Sequence, residues 1–265
     1  MVAFAEGVPC WVDVSLPDVR AGKRFYGDLF GWTFDPEGDA DSVPAYGSYV
    51  NAFSDGKRVA SLAAKRDGRM PTAWGVYFAT SDAVALVERI KEAGGGMVMD
   101  PTIVGPYGTM AQGVDPGGAV FGLWQPGSHS GFEKQGEPGS FCWAEVYTRD
   151  KESVDLFYES VFGFVGKDLP DEPADFRAWS PAGSEPGGDS AVGGRSVITD
   201  AFPKEMPGHF LVYFSVADCD ETVAETVRLG GRVRESAADT PYGRVAGLVD
   251  NQGAAFAVLA EPEAA

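Results

Sequence analysis

The stretch Cys10-Trp11-Val12-Asp13-Val14-Ser15-Leu16-Pro17-Asp18 returns, altered but recognisable, as Cys142-Trp143-Ala144-Glu145-Val146-Tyr147-Thr148-Arg149-Asp150. Each copy leads to a Phe-Tyr pair, Phe25-Tyr26 and Phe157-Tyr158, and then to Phe-Gly, Phe30-Gly31 and Phe162-Gly163. The offset is 132 through these blocks. It becomes 136 between Val76-Tyr77-Phe78 and Val212-Tyr213-Phe214, and 135 between Pro106-Tyr107-Gly108 and Pro241-Tyr242-Gly243. Small insertions between shared blocks are what a duplicated domain leaves, and a period this long means two folded units rather than a solenoid. The expected division is a first domain over 1–127, a linker rich in Gly, Ser and charge over 128–138, and a second domain over 139–265.

Within the first copy the pattern is strand, helix, three strands, and then the same again. Trp11–Leu16 reads as a strand, and Pro17-Asp18 opens a helix whose Ala21, Phe25, Tyr26, Leu29 and Phe30 share one face before Gly31 ends it. Short strands are expected near Trp32–Phe34, Tyr46–Phe53 and Arg58–Ala64. Trp74–Thr80 restarts the pattern. Ser81-Asp82 caps a helix over Val84, Val87 and Ile90, and Gly94-Gly95-Gly96 stops it, which reads as a helix end and not as a phosphate loop. Strands near Met97–Val104, Thr109–Val114 and Ala119–Gln125 follow, with Asp115-Pro116-Gly117-Gly118 as a hairpin turn. The second copy repeats the plan, with helices expected at about Lys151–Phe162 and Asp220–Leu229 and a turn at Asp250-Asn251-Gln252-Gly253. The chain is thus read as α+β, four βαβββ modules in two pairs.

Composition narrows the function classes. The 265 residues are 44% hydrophobic, enough for two cores of ordinary size. A formal charge of −18 disfavours phosphate backbones and anionic membranes, so no nucleic-acid or membrane partner is expected. No signal-peptide pattern or membrane-length apolar run occurs, and a cytoplasmic protein is the expectation. The three cysteines form no CxxC and read as reduced thiols.

Paired βαβββ modules, an Asp seven residues before each Phe-Tyr pair and Asp-Pro-x-Gly before the last strand resemble the vicinal-oxygen-chelate superfamily (glyoxalases, bleomycin-resistance proteins, extradiol dioxygenases). The second copy departs by having Asn251 where the turn motif has Pro. The resemblance spans Pro9–Gln125 and Phe141–Ala260, and the wording is similar to that of two-domain actinobacterial members. It implies an eight-stranded sheet curled around a cleft in each half. Many such relatives are dimers of one half, so the fusion looks like a dimer made covalent, and a further homodimer stays open. The resemblance also implies three metal-ligand positions per half. They fall here on Trp11, Gly75 and Gly122, and on Trp143, Leu211 and Ala257. None carries a ligating side chain, so no metal and no other cofactor is expected.

Strand alternation says what shares the cleft with those positions. Trp11, Asp13 and Ser15 are matched by Trp143, Glu145 and Tyr147; Gly75 and Tyr77 by His209, Leu211 and Tyr213; and Gly122 is joined by Trp124. The result is an aromatic pocket with a few polar groups, the usual make-up of a small-molecule site. Two functional readings follow. One is metal-independent binding of an aromatic or polycyclic small molecule, possibly a natural product in kind, for sequestration or to assist a tailoring enzyme. The other is a cofactor-independent isomerase, cyclase or lyase using Glu145, His209, Asp13 and Tyr213 as acid–base groups. Trp11 and Trp143 are read either as ligand walls or as core plugging the vacant positions. Trp179, in the stretch Gly166–Ala191, is read as a lid residue, which favours the second cleft; Arg195 is read as orienting an anionic ligand or as a surface residue. His129 is expected to be solvated in the linker.

Overall fold

A computed structural model describes residues 4–35, 49–169, 175–200 and 202–262. The first module is β1 (Pro9–Leu16), α1 (Val19–Phe30), β2 (Thr33–Phe34), β3 (Tyr49–Ser54) and β4 (Lys57–Ala64). The second is β5 (Trp74–Ala79), α2 (Ala83–Glu92), β6 (Gly96–Val104), β7 (Gly108–Val114) and β8 (Val120–Pro126). The third is β9 (Ser140–Thr148), α3 (Lys151–Phe162), β10 (Val165–Leu169), β11 (Phe176–Ser180) and β12 (Gly193–Val197). The fourth is β13 (His209–Ser215), α4 (Cys219–Arg228), β14 (Arg232–Thr240), β15 (Gly243–Val249) and β16 (Ala255–Ala260). The expected strand start at Tyr46 lies outside the described residues.

Each helix begins where an aspartate carboxylate accepts from a free backbone N–H of the first turn. Asp18 accepts from Ala21, Asp82 from Val84 and Ala85, Asp150 from Ser153 and Asp218 from Glu221, all within 3.1 Å. Asp218 sets the start of α4 one residue before the expected Asp220 boundary. Gly31 and Gly163 close α1 and α3 in the left-handed conformation, with φ of 70° and 69°, which a side chain there would resist.

Two eight-stranded sheets result, ordered β2-β3-β4-β1-β5-β8-β7-β6 and β10-β11-β12-β9-β13-β16-β15-β14. Strands β1 and β4 run parallel, as do β5 and β8, β9 and β12, and β13 and β16, while the meanders are antiparallel. By packing, the chain divides into two compact units, each drawing a module from each sequence repeat. One comprises Met1–Trp11, Val76–Gly131 and Ala144–Leu211; the other comprises Val12–Gly75, Phe132–Trp143 and Val212–Ala265.

The two cores are built alike. In the first unit Phe78, Phe121, Phe157, Tyr158, Phe162 and Trp179 interlock at ring-centroid distances of 4.4–6.3 Å. In the second, Tyr26, Phe30, Trp32, Trp74, Phe214 and Phe256 do the same. Each core contains one buried tyrosine hydroxyl bonded to the aspartate of a hairpin turn. Tyr158 donates to Asp115 Oδ2 at 3.1 Å, and Tyr26 donates to Asp250 Oδ2 at 2.8 Å. The Phe-Tyr pair of one repeat is therefore held by the turn of the other. Burial pushes the Asp115 carboxyl above its ordinary range, against the pull of its hydrogen bonds.

Candidate functional site

On β1 the side chains of Val12, Val14 and Leu16 are fully buried, and a Cβ on Gly22 of α1 would lie 2.2 Å from Leu16 Cδ1. That face is taken by the helix, so alternation turns Trp11, Asp13 and Ser15 to the other. Tyr77 on β5 is opposite Gly122 on β8, and its ring lies across the glycine: a Cβ there would fall 2.1 Å from Tyr77 Cδ1. Trp124 stands two residues further along the same face.

This first-repeat face is filled by the chain itself. The His129 ring sits edge-on to Trp11, with centroids 4.5 Å apart and planes at 88°, and 5.6 Å from Trp124. Trp124 Nε1 donates to the His129 carbonyl at 2.8 Å. The segment is tied further by Gly127 and His129 N–H groups donating to the Tyr107 carbonyl at 2.8 and 3.1 Å. Trp11, Tyr77 and Trp124 are buried, at 3%, 5% and 7% exposure. The expectation of a solvated His129 is corrected: its imidazole is half-buried against two tryptophans. Nothing in a Gly- and Ser-rich composition signals that docking. Asp13, half-buried, accepts from Tyr49 Oη at 3.5 Å.

The second-repeat face is built differently. Ala144 and Val146 are buried, leaving Trp143, Glu145 and Tyr147 on the opposite side of β9. Trp143 is half-buried and makes no ring contact or side-chain hydrogen bond among the described residues. Glu145 is 6% exposed. Tyr147 stacks on His209, centroids 5.2 Å apart and planes 9° from parallel, and meets Phe202 at 6.2 Å. His209 Nδ1 lies 3.0 Å from the Pro207 carbonyl oxygen. Along β13, Leu211 is buried and Tyr213 half-buried on the same strand face as His209.

From Tyr213 the register runs across the sheet to Ala257, then Gly247, then Glu235. Glu235 leans over Gly247, where a Cβ would lie 3.0 Å from Glu235 Cβ. The floor beside Tyr213 is thus made of Ala and Gly, where the first repeat has a tyrosine ring over its glycine. Sequence reading missed Gly247 and Glu235, because their place depends on the pairing of β14 with β15, which bulges twice.

Two other expected residues lie elsewhere. Arg195 is neither at the surface nor open to an anion. It is 1% exposed, with Nε and Nη2 each 3.1 Å from Asp155 and Nη1 2.8 Å from Asp175 Oδ1. Trp179 belongs to β11 and is buried against Tyr158 at 4.4 Å and Phe164 at 5.6 Å. Cys142, beside Trp143, has its thiol pushed up to about 12, chiefly by burial and then by the Glu261 charge, which keeps it protonated at neutral pH.

At the six positions that correspond to metal ligands, no side chain offers oxygen, sulfur or imidazole nitrogen, and the Tyr77 ring occupies the space over Gly122. No group of three His, Cys, Asp or Glu gathers among the described residues. These residues do not fit a divalent ion.

A family model described as Glyoxalase/Bleomycin resistance protein/Dioxygenase superfamily matches residues 11–123. The chain is 37% identical to the anthracycline biosynthesis protein DauV of Streptomyces sp. (strain C5), over 100% of this chain and 97% of that one. It is 36% identical to the putative glyoxylase CFP32 of Mycobacterium tuberculosis, over 97% and 95%. Among solved structures, the Mn(II)-bound glyoxalase from Novosphingobium aromaticivorans superposes with a TM-score of 0.66 at 15% identity, covering 98% of this chain and 84% of that one.

Proposed function

The chain belongs to the glyoxalase/bleomycin-resistance/dioxygenase superfamily, and from that premise we propose that it binds an aromatic or polycyclic small molecule without a metal. A role connected with natural products is supported by the 37% identity to a protein named for anthracycline biosynthesis. The observation that carries the reading is the replacement of metal-ligand positions by aromatic and small residues on strand faces turned away from the helices. Indole and phenol rings offer large apolar area and stacking worth ~0.5–1.5 kcal/mol per ring pair beyond burial. Trp11, Ser15, Tyr77, Trp124, Trp143, Tyr147, Leu211 and Tyr213 are the wall candidates. Tryptophan fluorescence titration with aromatic natural products tests this: Trp11→Ala or Trp143→Ala weakens binding, and full affinity in both variants would defeat it.

A second reading, a cofactor-independent isomerase, cyclase or lyase, is favoured by the burial of Glu145 on that strand face, beside Tyr147 and its stacked His209. The acid–base groups would be Glu145 and His209, with Asp13 and Tyr213 in support. Once a turned-over ligand is in hand, Glu145→Gln and His209→Ala should each slow the reaction; full rate in both would remove this reading.

A further inference from the structure

The third module joins its helix to its outer strands through charge, and the first module, its duplicate, does not. Strand register fixes which residues correspond. Arg195 on β12 pairs with Val146 and Arg177, as Leu62 on β4 pairs with Val14 and Val50. Asp155 and Glu159 on α3 stand 132 residues after Lys23 and Gly27 on α1. In the third module the buried Arg195 guanidinium bonds Asp155 of α3 and Asp175, while Arg177 bonds Glu159 of α3 at 2.7 Å and Asp168 at 2.9 Å. The Arg177 guanidinium lies across Gly166, where a Cβ would fall 2.0 Å from its Nε. The first module has Phe34 in place of that glycine, and Ala52 in place of its cross-strand neighbour Trp179. The Phe34 ring meets Lys23 Nζ at 5.7 Å, and fully buried Leu62 packs on α1 at Gly22. One interface is ionic and the other apolar, through a coordinated exchange on helix and strands alike.

A duplicated chain carries a hazard, because the strand and helix of one copy can dock on the outer strands of the other, within a chain or between chains. We propose that this exchange is a pairing key, which admits α3 only to β10–β12 and α1 only to β2–β4. With α1 on β10–β12, Lys23 would face two arginines and Gly27 would offer no carboxylate. Arg195 would lose Asp155, and a guanidinium does not escape by losing its proton. With α3 on β2–β4, Asp155 and Glu159 would be pressed against Phe34, Val50 and Leu62. Each crossed pairing strands charge in an apolar contact, a penalty absent from the native pairings. A buried ion network adds little stability over well-packed apolar residues, so what it contributes here is discrimination between the copies.

The experiment uses the full chain. Asp155→Lys, Glu159→Gly, Gly166→Phe, Arg177→Val, Trp179→Ala and Arg195→Leu together give the third module the first module's interface. Wild type and this variant are unfolded in urea, refolded by dilution at several protein concentrations, and sized by chromatography with light scattering. Wild type is expected to return to its native mass. The variant should form about tenfold more material of larger mass, the discrimination that one stranded buried charge imposes, with a urea midpoint no lower than that of wild type. Should the variant not fold, wild type refolded in about 1 M NaCl, where charges are screened beyond about 3 Å, decides the point by the same rise. Larger species no more abundant than in untreated wild type would overturn the key. So would a rise in the variant accompanied by a lowered urea midpoint, which is lost stability alone.

Discussion

Removing one hydroxyl from each of the two buried tyrosines should produce unequal losses of stability, and the inequality can be worked out beforehand. In Tyr158→Phe the ring packing survives, but Asp115 Oδ2 loses its donor while Oδ1 keeps the Ala119 N–H at 2.8 Å. Tyr158 is fully buried and Asp115 is 3% exposed, so water does not readily replace the bond. Loss of a hydrogen bond to a charged group costs about 1.5–3 kcal/mol. Tyr26 has two bonds: its hydroxyl donates to Asp250 at 2.8 Å and accepts from Trp74 Nε1 at 3.0 Å. Tyr26→Phe therefore also strands a buried indole N–H, adding about 1 kcal/mol. Urea unfolding followed by far-ultraviolet circular dichroism should give the larger loss for Tyr26→Phe. The Tyr158→Phe deficit should also depend on pH. Burial holds the folded Asp115 pKa above 3.8, so the folded state binds that proton more tightly than the unfolded state, and this carboxyl's contribution declines as pH rises from about 4. The Tyr158 bond opposes the shift; without it the decline steepens, so the deficit is smallest near pH 4 and full once Asp115 is ionised. Equal losses in the two variants, or a Tyr158→Phe deficit that does not change with pH, would refute the reasoning.

Arg195→Met removes the guanidinium that Asp155 and Asp175 share, but Lys151 still pairs with Asp175 and Arg177 lies 3.9 Å from Asp155, so a loss of about 1.5–3 kcal/mol is expected in thermal or urea unfolding. Lys134 Nζ is held by Ser54 Oγ, Asp55 Oδ2 and the Pro138 carbonyl, so Lys134→Met should cost about 1–3 kcal/mol and raise the rate of proteolytic cleavage within 128–138. Gly122→Ala puts a Cβ 2.1 Å from the Tyr77 ring, which must move; a loss of about 1–3 kcal/mol is expected in urea unfolding.

The fold was legible because its signals are local and doubled. Asp18, Asp82 and Asp150 cap helices within a few residues of themselves, and Gly31 and Gly163 end two of them, so spacing locates α1 to α3; α4, expected from about Asp220, starts one residue earlier behind its cap Asp218. Long-range pairing was not legible. In the sequence the Phe-Tyr pairs and the turn aspartates stand as separate family markers, whereas Tyr158 and Asp115, and Tyr26 and Asp250, are bonded to one another across 43 and 224 residues. Alternation assigns residues to one strand face or the other, since period two needs no tertiary knowledge. It could not say which face the chain would fill for itself. His129 lies in a stretch whose composition reads as solvent-exposed, and its seating on Trp11 is set by packing that no local pattern encodes. Arg195 was misread for the same reason: its partners Asp155 and Asp175 come from α3 and from the approach to β11, and no spacing rule joins them.

The most direct test of metal-free aromatic binding is a calorimetric titration of chelator-stripped protein with acridone, repeated after adding Mn(II). Saturable binding in the presence of chelator, with the same affinity once Mn(II) is added, is the expected result. Binding that appears only with Mn(II) would contradict it and return the metal to the centre of this protein's chemistry.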